Sequence, residues 1–442
     1  MSRITLTPLF SELNDWPGRL FDSEEGGSIV TRTAKAFTWR FGPDADFAGY
    51  EIRVTGNGFT YDGGEATGGR MSQLRIVDGA GQTVITFAQL GAGLAGDFSN
   101  FWYSFFGSAI PDRGPGRDEK MVWSHLMSGN DTIIGDPGND YRSLPGLDFG
   151  NDRYEMGGGD SYVSGGMGND TYVGGDGYDM ISYDETHYND GMPMFRGATV
   201  NLATGIALDP WGGRDVLIGY DEARGSRLAD QLIGNEDRNR FYGFRGADKI
   251  DGGNNTFTAG GEVDEDRRDE VRYHQDREFG GFRGIVVDLE TSFANDSIRG
   301  RIRDGFGHTD IVIDIERVVG TFYNDVFVGS RVDNRFQGAE GRDSYNGEDG
   351  WDFVGFDRGV EDDPTGVVID LTRSSGQIVN DGFGNTETVR NIEGFGGTRS
   401  GDRFIGNAAG DYFEGLEGAD TMTGGGGEDY FAWLWEGELD QG

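Results

Sequence analysis

Gly165-Gly166-Met167-Gly168-Asn169-Asp170-Thr171-Tyr172-Val173 runs without a break into Gly174-Gly175-Asp176-Gly177-Tyr178-Asp179-Met180-Ile181-Ser182. Both nonapeptides read G-G-x-G-x-D-x-(apolar)-x. Outward from this pair the Asp position keeps its phase in separate blocks. Asp402, Asp411, Asp420 and Asp429 are nine residues apart, as are Asp325, Asn334, Asp343 and Asp352, and Asp230, Asn239 and Asp248. A looser set, Asp131, Asp140, Asp152 and Asp160, precedes them. Chance does not hold one phase through four blocks; this is an internal repeat, and a repeat decides the fold before any single residue does.

Each nonapeptide reads as a six-residue turn and a three-residue strand. Glycines such as Gly166, Gly168, Gly175 and Gly177 permit the turn and the close approach of neighbouring backbones. The apolar residue (Tyr172, Ile181, Phe404, Phe413, Met422) faces inward by the alternation of a strand. Two nonapeptides close one coil, so residues 18 apart stack, Asp402 over Asp420 and Asp325 over Asp343. Stacked strands lie about 4.8 Å apart. Two bare carboxylates at that distance repel by roughly 1 kcal/mol in water and about 3–4 kcal/mol at an effective dielectric of 20. Ca²⁺ between turns cancels that repulsion, taking carboxylate and carbonyl oxygens at about 2.3–2.6 Å. The candidate ligands are therefore Asp131, Asp140, Asp152, Asp160, Asp170, Asp179, Asp230, Asp248, Asp325, Asp343, Asp352, Asp402, Asp411, Asp420 and Asp429, with the turns of Gly166, Gly168, Gly175 and Gly177. Where the position is Asn239 or Asn334, or a fourth-position glycine is Leu228 or Val332, a weak or empty half-site is expected. Because the carboxylates meet only in the folded chain, metal affinity becomes folding free energy.

Three longer segments separate the blocks. Each opens on a β-branched strand (Thr199-Val200-Asn201-Leu202, Val286-Val287-Asp288-Leu289, Val368-Ile369-Asp370-Leu371) and closes on Gly225-Ser226, Gly320-Thr321 or Gly397-Thr398. The acidic stretches 262–270 and 361–363 read as solvated loops. The expected domains are 1–118, an N-terminal β-sandwich-like domain; 119–182, the first block; 183–251 and 252–355, each a separator plus a block; and 356–442, a separator, the fourth block and a cap.

Composition excludes much else. Over 442 residues, 38 Lys and Arg face 77 Asp and Glu, a formal charge of −39, so neither nucleic acid nor an anionic membrane surface is an expected partner. The absence of Cys removes disulfides, thiolate metal sites and cysteine nucleophiles. No run approaches the ~18 apolar residues of a membrane-spanning helix, and the N-terminus lacks the apolar core of a secretory signal peptide.

The G-G-x-G-x-D-x-(apolar)-x array over residues 126–432 resembles the RTX (repeats in toxin) family, also called haemolysin-type calcium-binding repeats. The separators are similar to segments that join such arrays in bacterial RTX proteins and in the repeat modules of secreted alginate epimerases. The resemblance implies an all-β chain with a right-handed parallel β-roll, several Ca²⁺ ions between turns, and export by a type I secretion machinery reading a C-terminal signal, hence a secreted bacterial protein.

Catalytic signals are sparse. H-E-x-x-H and G-x-S-x-G are absent, and the four histidines, His125, His187, His274 and His308, are far apart in the sequence. In the N-terminal region, residues 73–77 and 83–87 read as a hairpin. The aromatics of residues 98–106 read as a packed seam and those of 430–435 as a solenoid cap. The expectation is a calcium-binding protein that folds after export, non-enzymatic and extracellular or on the cell surface, with adhesion, glycan binding or matrix formation as its role and extracellular polysaccharide as a partner. The alternatives are a polysaccharide-modifying enzyme and a surface-layer subunit.

Overall fold

The computed structural model describes residues 3–6, 27–33, 35–41, 51–62, 65–77, 83–88, 132–134, 140–142, 151–164, 166–184, 194–253, 268–294, 297–356 and 365–433. Among them the one helical segment is a 3-10 turn, His274–Phe279; everything else regular is strand. The chain is all-β, as the turn-rich sequence requires. Its contacts group it into two compact units, residues 1–195 with 205–222, and residues 196–204 with 223–442.

In the first unit the strands Gly27–Arg32, Ala36–Phe41, Glu51–Asp62, Glu65–Val77 and Thr83–Ala88 pair antiparallel in chain order. The expected hairpin is present, with Gln73 opposite Ala88 and Val77 opposite Thr83. The strand Arg3–Leu6 pairs antiparallel with Thr83–Ala88 and parallel with Thr132–Ile134, and so carries the meander into the parallel ladder. From there Thr132–Ile134, Arg153–Glu155 and Thr171–Val173 pair parallel in register. The stacked rings of Tyr154 and Tyr172, 4.8 Å apart, show what an 18-residue coil does to its apolar position. The seam aromatics of residues 98–106 and the acidic stretch 361–363 lie outside the described residues.

In the second unit the 18-residue register is strict. Gln231 pairs with Lys249, Val326 with Ser344, Arg335 with Phe353, Arg403 with Thr421 and Tyr412 with Tyr430. Alternate strands of the coil build two facing parallel sheets, and the apolar position of each fills the space between them. Phe327 and Phe336 meet across it at 5.3 Å, and Phe404 and Phe413 at 5.0 Å. Leu232, Ile250, Phe327, Phe336, Phe395, Phe404 and Phe413 are buried completely or nearly so. Each such side chain stabilises the fold by about 1.5–3 kcal/mol. The last strand, Tyr430–Ala432, pairs with Tyr412–Glu414 and leaves Tyr430 and Trp433 exposed.

The separators are folded parts of the sheets. After the strand Lys249–Asp251 the chain runs ahead to Val286–Ala294, doubles back through Ser297–Arg303, and doubles back again through Thr309–Ile313. This antiparallel insertion restores the parallel stack at both ends: Thr309–Ile313 lies on Lys249–Asp251, and Val286–Ala294 on Val326–Ser330. A buried Asp closes the second hairpin, its Oδ1 accepting the N–H groups of the loop: Asp304 holds Phe306, Gly307 and His308. Asp209 and Asp381 do the same in the other two separators.

Candidate calcium sites in the turns

The Asp at the end of each turn points into the stack, and nearly all are buried. Its Oδ1 accepts the backbone N–H of the residue one coil earlier. Asp170 takes the N–H of Asp152 at 2.7 Å; Asp248 takes that of Asp230, and Asp343 that of Asp325, both at 2.8 Å. Asp352 takes Asn334, Asp420 takes Asp402 and Asp429 takes Asp411, at 2.8–3.0 Å. Stacked carboxylates thus alternate with backbone amides along the coil axis instead of standing bare against one another. One hydrogen bond does not neutralise a charge, however, and among the described residues no arginine or lysine forms an ion pair with these six carboxylates.

The cost shows in their protonation. Burial pushes the carboxyl of Asp352 up to about 8, with Glu393 adding to it. Burial likewise takes Asp170 and Asp402 up to about 6. Asp248 and Asp343 go higher still, first because they are buried and then because Asp310 and Asp230 press on one, Glu387 and Asp325 on the other. A buried carboxylate without a counter-charge is stable only if it is protonated or meets a cation.

The donors suit a hard divalent cation. Oδ2 of Asp248 and of Asp352 is buried and accepts no hydrogen bond. Carbonyl oxygens of the preceding coil crowd the same turns: a Cβ at Gly246 would lie 2.6 Å from the Leu228 carbonyl oxygen, and one at Gly418 would lie 2.6 Å from that of Ser400. Among the described residues no three His, Cys, Asp or Glu side chains converge at metal-binding spacing. A cation here would draw its remaining ligands from turn carbonyls, as Ca²⁺ readily does and a nitrogen- or sulfur-seeking metal does not.

Other expected residues fall as follows. Asp179 is buried, and its Oδ2 accepts the Gly175 N–H at 2.7 Å. A Cβ at Gly175 or Gly177 would overlap the backbone of Gly157 or Gly159, one coil back, which is why glycine is needed there. Asp140 lies on the strand Asp140–Arg142, opposite Ser161, and Ser161 opposite Asp179, so Ser161 holds the rung and Asp160 stands one residue before it, accepting the Tyr178 N–H at 2.8 Å. Gly166 and Gly168 lie in the turn before Asp170. Asp131 lies outside the described residues.

The ladder also contains carboxylates that the nine-residue phase does not reveal. Asp215 accepts the N–H of Asp170 at 2.9 Å, and Asp310 that of Asp248 at 3.0 Å; each also accepts a tyrosine hydroxyl, from Tyr183 and Tyr273. On the other side of the coil Asp221 follows Asp179, Asp269 and Glu316 follow Asn239, and Glu393 follows Asp352. All belong to separators. The reading of 262–270 as a solvated loop is thereby corrected at its end: Asp269 and Glu270 are buried, because Asp269 sits on a rung and Glu270 opens the strand that follows. The available signal was the triplet Asp/Glu-x-(apolar), as in Asp215-Val216-Leu217 and Asp310-Ile311-Val312, which is the second half of a nonapeptide without its glycine turn.

The sequence matches the RTX calcium-binding nonapeptide repeat over residues 126–141, 148–181, 224–261, 319–354 and 396–431. No curated protein matches the chain. The matched segments follow the coils, and the three long gaps between them, 182–223, 262–318 and 355–395, hold the separators. With parallel coils of 18 residues, an Asp or Asn at the end of each nonapeptide turn and the family match on those turns, these segments are RTX calcium-binding nonapeptide repeats.

Proposed function

We propose that this protein folds when it meets calcium, after export from a bacterial cell, and that it then serves as a non-enzymatic binding or matrix component outside the cell or on its surface. The observation that carries the folding step is the set of buried carboxylates, Asp248 and Asp343 above all, with which no arginine or lysine among the described residues forms an ion pair, together with Asp352, which burial and Glu393 drive up in spite of Arg268. In a calcium-poor cytoplasm their mutual repulsion and burial hold the repeat region open, a state suited to passage through a type I secretion machinery. Millimolar calcium outside supplies the missing charge and makes the roll the stable state.

The ligands in this reading are the Asp residues of the nonapeptide turns, together with carbonyl groups of the glycine-rich turns. The binding role proposed here takes extracellular polysaccharide as its partner. The test is a calcium titration of the metal-stripped full chain followed by far-ultraviolet circular dichroism, with magnesium as control. A cooperative gain of β signal with calcium alone is expected. A chain already fully folded without calcium defeats the proposal.

A further inference from the structure

The turns of the second unit fall into two kinds, and they alternate coil by coil. In the first coil of each block, position two of the turn is Ser, Thr or Asn: Ser226 and Asn235, Thr321 and Ser330, Thr398 and Asn407. In all six the backbone N–H of that residue donates to the rung Asp or Asn four residues later, at 2.7–2.8 Å. Its side chain ties the knot a second time: the hydroxyls of Ser226, Thr321 and Thr398 donate to the other rung oxygen, at 2.8–2.9 Å. They also accept an N–H of the turn, from Leu228, Tyr323 and Ser400. With the N–H from the neighbouring strand (Ala198, Ile285, Val367), both oxygens of Asp230, Asp325 and Asp402 are occupied by the protein itself.

The second coil is built otherwise. Position two there is Phe244, Ala339, Glu348, Leu416 or Gly425, each left-handed with φ between 57° and 105°. The fourth position is glycine in all five turns. Among the described residues no N–H closes onto the second carboxylate oxygen; Oδ2 of Asp248 and Asp352 is buried and takes no hydrogen bond, and that of Asp343 accepts the Tyr345 hydroxyl at 3.4 Å. The two rungs that carry Asn, Asn239 and Asn334, both fall in the self-closed coil and make the same closing bond with their amide oxygen. Loss of the carboxylate charge has occurred only at turns that close on the rung's own oxygen.

We infer that, in the second unit, the residue at position two decides which turns hold calcium: Ser, Thr or Asn there closes the turn on its own Asp, and calcium is bound through the Asp of the open turns alone. Resting on the calcium-binding reading above, this assigns Asp248, Asp343, Asp352, Asp420 and Asp429 as ligands. Asp230, Asp325, Asp402 and Asp411 become hydrogen-bonding residues of a calcium-indifferent coil, in spite of sharing the nine-residue phase.

The test is the number of calcium ions retained by the full-length protein at saturating calcium, measured by equilibrium dialysis with atomic emission. Asp343→Asn and Asp420→Asn are expected to lose one ion each, and Asp325→Asn and Asp402→Asn none. Asn334→Asp, which restores the consensus carboxylate at a self-closed turn, is expected to add none. Equal losses from the two classes, or an extra ion in Asn334→Asp, overturn the inference while leaving calcium binding intact. A wild-type protein that retains no calcium at all overturns both.

Discussion

Two buried carboxylates of the second unit, Glu270 and Asp248, are handled in opposite ways. Glu270 is surrounded by guanidinium groups: Arg240 at 3.1 Å, Arg317 at 3.2 Å, Arg238 at 3.5 Å, and Arg272 in contact. Burial alone would push its carboxyl up, but Arg272, Arg317 and Arg240 outweigh it and hold Glu270 down at about 2. Asp248, as deeply buried, has Asp310 and Asp230 for company and is driven up. The chain can surround a carboxylate with its own cations, and on the outer face of the sheet it does so. At the turns it does not, which is what a site completed by an external cation requires.

The sharpest way to break this contrast is to remove each charge in turn. Glu270→Ala leaves four arginines facing one another and is expected to lower stability by about 3–5 kcal/mol, with calcium or without it. Asp248→Asn should cross over: it destabilises the calcium-loaded protein and is neutral or stabilising in the metal-stripped one. Thermal unfolding of both variants in calcium, and in chelator at about pH 5 where protonated rung carboxyls let the metal-free chain fold, reads all four numbers. An Asp248→Asn effect of the same sign in both conditions breaks the comparison.

Within the ladder, Asp310 accepts both the Asp248 N–H and the Tyr273 hydroxyl. Asp310→Ala leaves two buried donors unsatisfied and should cost about 1–3 kcal/mol, while Tyr273→Phe should cost about 1 kcal/mol. Denaturant unfolding in calcium checks both. If Asp310→Ala costs no more than the tyrosine change, the separator rung carries no structural weight.

The pH response separates the two kinds of carboxylate with the smallest perturbation. Rung carboxyls such as Asp402 (about 6) and Asp352 (about 8) bind protons more tightly in the folded chain than the ordinary carboxylate near 3.9. In metal-stripped protein their contribution is complete below about pH 4 and is lost as pH rises through about 6 to 8. Glu270 acts in reverse: its contribution is complete above about pH 4.3 and is lost as pH falls through about 2. Metal-stripped protein is therefore expected to be more stable near pH 5 than near pH 8, and saturating calcium should remove the share of that slope due to Asp352 and leave the share due to Asp402. A metal-stripped chain that gains stability on going from pH 5 to pH 8 contradicts the assignment.

Much of this was legible in the residue order. A phase kept from Asp402 to Asp429 states that turns recur every nine residues and that coils stack every 18, and the register Arg403 to Thr421 follows from it. Glycine at position four of the open turns, and Ser, Thr or Asn at position two of the closed ones, stand in the sequence too. Their meaning depends on the sign of φ and on which oxygen an N–H reaches, and neither is a property of composition.

The sequence by itself determined the repeat, the coil length, the inward apolar position and the surplus of carboxylates, because each follows from periodicity or charge count within a few residues of chain. Only the tertiary structure decided that Asp310 follows Asp248 across 62 residues of sequence, that Glu270 lies among arginines, and that the Oδ2 atoms of Asp230 and Asp248 meet different surroundings. The physical reason is distance. The separators double back twice before rejoining the stack, so their carboxylates reach the ladder through strand pairing and not through spacing, and hydrogen-bond partners are fixed by that pairing alone.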